Sequence, residues 1–209
     1  MPDHCPPALV PEQGERLVRA DYKRDFRRRE AAVRNGDSWK LERLQHFEEH
    51  GSASRDALRR GEWEEALRLM EERHGALLAE AEEDRRHGHV FHRVRVVEQP
   101  LTPYLQWELH SLRQQAQYGQ RIRVVSANTL ARTERAGLLP ELVVVGGQTL
   151  YHVLYTEAGA SEGAIRYTDP DLVGRWERYI KALYRAGEEM HTYFDREVSH
   201  LPAPKTPRE

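Results

Sequence analysis

Apolar residues recur at helical spacing through the first part of the chain and at alternate positions through much of the rest. From Glu62 to His87 the residues Trp63, Ala66, Leu67, Met70, His74, Leu77, Leu78 and Ala81 share one face. Glu64, Glu65, Glu71, Glu72, Arg73, Glu82 and Glu83 fall on the other, so the spacing predicts one long amphipathic helix stopped by Gly88. Glu12 to Arg34 also reads as helix, with sparse apolar positions at Leu17, Ala20, Tyr22 and Phe26 and a break at Asn35-Gly36-Asp37. Trp39 to Phe47 fits two patterns, alternating at Trp39 and Leu41 and helical at Leu41, Leu44 and Phe47. Ser52 or Ser54 serves as the cap of a short helix ending at Gly61.

Beyond residue 90 the pattern changes. His92 to Glu98 alternates as a half-buried strand, with Val94 and Val96 on one side and Arg93 and Arg95 on the other. Thr102 and Pro103 form a cap and first turn for a helix to about Tyr118, lined by Leu105, Leu109 and Leu112 and stopped by Gly119. Arg121 to Ser126 is the next strand, which completes a βαβ unit with parallel strands. A short helix from Leu130 to Ala136 follows, then strands at Glu141 to Val145, Leu150 to Tyr155 and Ala164 to Thr168. Gly146-Gly147 marks a hairpin between the first two of these. Asp169-Pro170 starts a helix to Ala186, and a last helix spans Glu188 to Val198. The expected fold class is α/β (α+β), a charged helical N-terminal half packed on or beside a small mixed sheet flanked by helices. The expected division is a disordered lead at 1–11, a helical region at 12–89, an α/β domain at 90–198 and a disordered tail at 199–209.

Composition adds constraints. The 209 residues are 39% hydrophobic and 32% charged, which suits long solvated helices attached to a packed unit. Thirty-two basic and 34 acidic residues leave a net charge of −2, so no global field draws the chain to nucleic acid or to a membrane. Cys5 is the only cysteine, which rules out a disulfide within one chain and fits a cytoplasmic setting. No apolar run approaches the ~18 residues of a membrane span.

Candidate chemistry lies mainly in the second half. Arg93 and Arg95 share one sheet face, as do Arg121 and Arg123. If the strands are neighbours, the four guanidinium groups line one surface that either recognises an anion or stands solvated beside Glu98, Glu108 and Glu141. Tyr104, Trp107 and Glu108 follow the first strand, where Trp107 packs on the sheet and Glu108 pairs with an arginine, or the three line a ligand pocket. His87, His89 and His92 form HxHxxH, but a helix end followed by a strand start does not hold three imidazoles on one side, so no metal is expected. The run Lys23 to Arg29 is a weak candidate for nucleic-acid contact because Asp21, Asp25 and Glu30 interrupt or flank it. No phosphate loop, serine elbow or HExxH is present, and no cofactor or catalytic residue is assigned.

The strings RVRVVEQPLTPYLQWELHSL, GQRIRVV, ELVVVGGQTLYHVLY and YTDPDLVGRWERYIKALYRAG occur in that order. In this they resemble an actinobacterial family of uncharacterised proteins often encoded beside small helix-turn-helix regulators. The resemblance covers about Val90 to Tyr193, with an echo at Trp39 to Arg43, and TPYLQWEL is its most specific part. The element order is also distantly similar to half of a phospholipase D-like domain. That similarity implies a degenerate version, since His152 is followed by Val153 and Leu154 and lacks the lysine two positions on that would steady phosphate charge. The resemblance implies a non-enzymatic regulatory interaction module acting with a transcriptional regulator or another protein partner, with the helix from Glu62 to His87 as docking element. The alternative is a phosphodiester- or nucleotide-acting enzyme, or an anion or nucleotide sensor, using the arginine face and His152.

Overall fold

The computed structural model describes residues 5–205. Its elements in chain order are β1 (Glu15–Val18), α1 (Arg19–Glu30), β2 (Gly36–Glu42), α2 (Ala53–Arg59), α3 (Trp63–Glu71), α4 (His74–His87), β3 (His89–Val97), α5 (Pro103–Gln117) and β4 (Arg121–Ser126). Then come β5 (Leu142–Val145), β6 (Thr149–Tyr155), β7 (Ser161–Tyr167), α6 (Pro170–Ala186), β8 (Glu188–Glu189) and α7 (Met190–Glu197). The eight strands form one mixed sheet in the order β1-β7-β6-β5-β2-β3-β4-β8. β2, β3 and β4 run parallel, and the remaining pairings are antiparallel. The fold is α+β, with helices on both sheet faces.

Local signals set many of these elements. Thr102 Oγ1 accepts from Leu105 N at 3.1 Å and Asp169 Oδ1 from Leu172 N at 2.8 Å, each directly before a proline that opens its helix. Ser52 caps α2. The β5–β6 hairpin turns through Gly146 and Gly147, both at positive φ.

Several expectations are corrected. The stretch Glu12 to Arg34 is a 3-10 turn, a strand and a helix, because Glu15–Val18 pairs with β7 and ladder bonds override the helical pattern. At that pairing a Cβ on Gly163 would sit 2.1 Å from the Leu17 carbonyl oxygen, so only glycine fits. The helix expected from Glu62 to His87 is two helices, broken at Glu72 and Arg73 just before Gly75, a poor helix former. α3 stays beside α5, while α4 departs toward α1. In place of a helix from Leu130 to Ala136 there are two 3-10 turns, Ala127–Leu130 and Thr133–Ala136, and the last helix begins at Met190 after the two-residue β8.

The undecided segment from Trp39 is β2, a central strand between β5 and β3. The composition shift near residue 90 falls inside the sheet, where Val90 of β3 pairs with Asp37 of β2. Residues 12–89 therefore contribute two strands as well as helices. The expected lead and tail lie partly outside the described residues. Within them, Leu9 packs against the main core and the Pro202 carbonyl accepts from Gln106 Nε2 at 2.8 Å.

The core has four parts. α6 lays Leu172, Val173, Trp176, Ile180 and Leu183 over one sheet face, against Leu41, Val94, Val96, Leu142 and Leu150. On the other face, α5 and α7 cover Ile122 and Val124 at one end. α1 covers Val143, Tyr151, Val153 and Ala164 at the other end. A satellite cluster of Phe47, Leu58, Ala66, Met70, Tyr104 and Trp107 joins α2 and α3 to the outside of α5. Between α1 and α5 the middle of this second face is left open, and its floor is polar: Lys40 and Glu42 on β2, Arg93 on β3.

Candidate functional site

Two adjoining cavities of about 460 and 390 Å³ occupy that gap, within the range of small-molecule sites. Lys40, Arg93 and Tyr155 line both. The larger is walled by Tyr22, Phe26, Arg27 and Glu30 of α1 and by Glu80, Glu83, Asp84 and His87 of α4. The smaller reaches Glu42, Trp107 and Glu108.

The floor is a buried charge network. Lys40 pairs with Glu42, and Arg93 Nη1 lies 3.2 Å from the same carboxylate. Burial alone would raise Glu42, but Arg93 and Lys40 overcome it and hold the carboxyl at about 2. The remaining contacts of Arg93, to Gln115 and Gln120, are long at 3.3 and 3.4 Å, and its Nε is buried without a partner. Lys40 and Arg93 share the single carboxylate of Glu42, while Arg95 is matched by Glu108. Such a floor can bind an anionic group.

The four arginines do not share a surface. Arg93 and Arg95 pair with Ile122 and Val124, while Arg121 and Arg123 pair with His92 and Val94. Paired residues share a face, so the two arginine pairs lie on opposite sides of the sheet. Arg93 alone reaches the cavities. Arg95 is fully buried, with its guanidinium on Glu108 and on the carbonyls of Leu44 and Val96. Arg123 stacks over Tyr184 and donates to the Gly187 carbonyl.

His152 pairs with Leu142 and Ile165, whose side chains belong to the α6 face, so it lies opposite Arg93 and four strands from β4. Burial lowers its pKa. Tyr104 donates to Glu49 at 3.0 Å, and Trp107 donates to Ser54 at 2.8 Å, so Trp107 packs on α2 rather than on the sheet. Glu108 pairs with Arg95.

The three HxHxxH histidines part company. His87 ends α4, and His92 stacks on Trp39 with ring centroids 3.9 Å apart on the α6 face. His89 lies beneath α4 and bonds Asp84 through Nδ1 at 2.8 Å and Ser38 through Nε2 at 2.9 Å. Among the described residues no group of three His, Cys, Asp or Glu side chains is placed to hold a metal ion. The Asp84–His89–Ser38 chain has the connectivity of orienter, base and nucleophile. Ser38 is fully buried, however, and its oxygen also accepts from Gly146 N at 3.3 Å. Ser38 lines neither cavity of the cleft. The chain is a brace that ties α4 to the sheet. In the basic run of α1, Arg24 pairs with Asp21, while Arg28 and Arg29 pair with Asp25.

Sequence reasoning missed Lys40, Glu42, Glu30, Tyr22 and Tyr155. The alternation of Trp39 and Leu41 held a signal for the first two, since it puts Lys40 and Glu42 together on the opposite face. Nothing local points to the others.

Among the described residues no helix is long and apolar enough to cross a membrane. No curated protein matches the chain. A family model described as a domain of unknown function, DUF6879, matches residues 24–195, from within α1 to within α7. That span contains the whole sheet except β1 and all the cleft's charged floor, and the chain belongs to the DUF6879 family.

Proposed function

We propose that the protein is a non-enzymatic regulatory module of the cytosol that binds a small anionic molecule in the cleft and works with a protein partner. One observation carries the reading: two adjoining cavities meet at Lys40 and Arg93, two cations that share the one carboxylate of Glu42. An incoming carboxylate or phosphate would give these two cations a second anionic partner. α4 links the cleft to a partner, because it walls the larger cavity yet buries only Leu77 and exposes Leu78. A helix-turn-helix regulator is the first partner to test, on the strength of the family resemblance. The phosphodiester-acting alternative has less support, since His152 and Arg93 lie on opposite sheet faces.

The test is thermal unfolding of the purified chain with phosphate, citrate, adenosine monophosphate and short-chain carboxylates, repeated on Arg93→Met. A ligand at a hundred times its Kd adds about 2.7 kcal/mol, readily seen as a shift in Tm. Stabilisation by at least one probe that disappears in Arg93→Met is the expected result. No shift with any probe, or an equal shift in the variant, would sink the reading.

A further inference from the structure

The larger cavity has a second pole that an anion alone does not explain. Glu30 lines it as the last residue of α1, where the helix's own partial negative charge disfavours a carboxylate. α4 ends at the same place: Asn35 N donates to the His87 carbonyl at 2.8 Å and Gly36 N to that of Gly88 at 3.1 Å. Two negative helix ends therefore converge on Glu30, with Glu80, Glu83 and Asp84 along the same wall. Arg34 is spent on the carbonyls of Ala31 and Val33, and His89 on Asp84. Among the described residues no hydrogen bond holds the Glu30 carboxylate. Burial, then Asp84 and Glu80, raise its pKa against the pull of His89 and Lys40.

Arg27, one turn before Glu30, lines the same cavity but makes no ion pair with it among the described residues, so a bound cation would offset what His89 and Lys40 leave of this pole. Lys40 and Arg93 line the same cavity and supply its cationic pole. Tyr22, Phe26, Phe91 and Tyr155 line it too, aromatic walls that accept an apolar group and favour a nearby ammonium.

We propose that the cleft takes a zwitterionic, amino-acid-like molecule, with its ammonium beside Glu30, its carboxylate beside Lys40 and Arg93, and an apolar side chain against the aromatic walls. This deepens the reading of the cleft as a ligand seat and rests on it.

The experiment is calorimetric titration of the full chain with L-phenylalanine, 3-phenylpropanoate and phenethylamine, which keep both poles, the anion alone and the cation alone. L-phenylalanine is expected to bind at least ~10-fold tighter than either analogue, the loss that follows from removing one charge-assisted contact. Glu30→Gln should lower L-phenylalanine affinity toward that of 3-phenylpropanoate and leave 3-phenylpropanoate unchanged. Should Glu30→Gln fail to fold, Glu80→Gln on the same wall should show a smaller loss in the same direction. Equal affinity for L-phenylalanine and 3-phenylpropanoate overturns the zwitterion and leaves the anion seat standing. Absence of binding by all three probes also overturns it, while the seat itself then stands or falls on the anion series and Arg93→Met.

Discussion

Arg95 and Glu108 meet with no solvent between them: Nε and Nη2 of the arginine donate to the same carboxylate oxygen at 2.8 and 2.7 Å. The arginine is fully buried and the glutamate nearly so. Burial raises the Glu108 carboxyl, Arg95 opposes this, and Glu42 adds to the rise. Removing one partner strands the other charge in a dry site. Arg95→Ala should therefore cost about 3–5 kcal/mol, while the paired change Arg95→Met with Glu108→Leu should cost much less. Urea unfolding of the three proteins checks this, and equal losses for the single and paired changes would show that the ion pair is not what matters.

Glu141 gives the fold a pH signature. Its side chain accepts from the backbone amides of Arg43 and Leu44, both at 2.6 Å, and so fixes the chain as it leaves β2. Burial, then Glu42, raises its pKa to about 7 in spite of those two bonds. The folded state thus binds the proton more tightly than the unfolded chain. The ionised carboxylate destabilises the fold above pH 7, and that penalty fades as pH falls from 7 toward the ordinary carboxylate range. Between pH 8 and pH 5 the wild type should gain about 2 kcal/mol relative to Glu141→Gln, which keeps the accepting oxygen but not the charge. Comparing the two proteins cancels the opposite slope from half-buried His110, whose pKa burial and Arg113 lower to about 4. Parallel stability curves for the two would refute the assignment.

His89 should act on α4 more than on the whole fold. It connects Asp84 of the helix to Ser38 of β2, and Ser38 has no solvent to replace it. His89→Ala should cost about 1–3 kcal/mol, the penalty of a buried hydroxyl left with fewer partners. The distinguishing readout is amide hydrogen exchange, which should quicken across Leu77–His87 while α5 and α6 stay protected. Uniform quickening would mean that His89 supports the fold globally and that α4 has no separate tether.

The sequence by itself determined the elements whose signals are local. β3, α5, β4, β5, β6 and α6 all lie near their expected places, because alternation, a capping side chain before a proline and a glycine turn act within a few residues. It also placed Arg93 among the candidate residues and Glu108 beside an arginine. Tertiary structure decided what depends on partners far along the chain. β1 and β2 are strands because distant strands bond them. The periodic pattern from Glu62 to His87 runs across a break that only the routes of α3 and α4 reveal. The arginines separate because alternation fixes which residues of one strand share a face but carries no information about parity between strands, and the β3–β4 register sets that parity. The cleft has the same origin. Glu30, Lys40, Asp84, Arg93 and Tyr155 come from five different elements, and only the packing of α1, α4 and α5 around the open middle of the sheet brings them to one cavity.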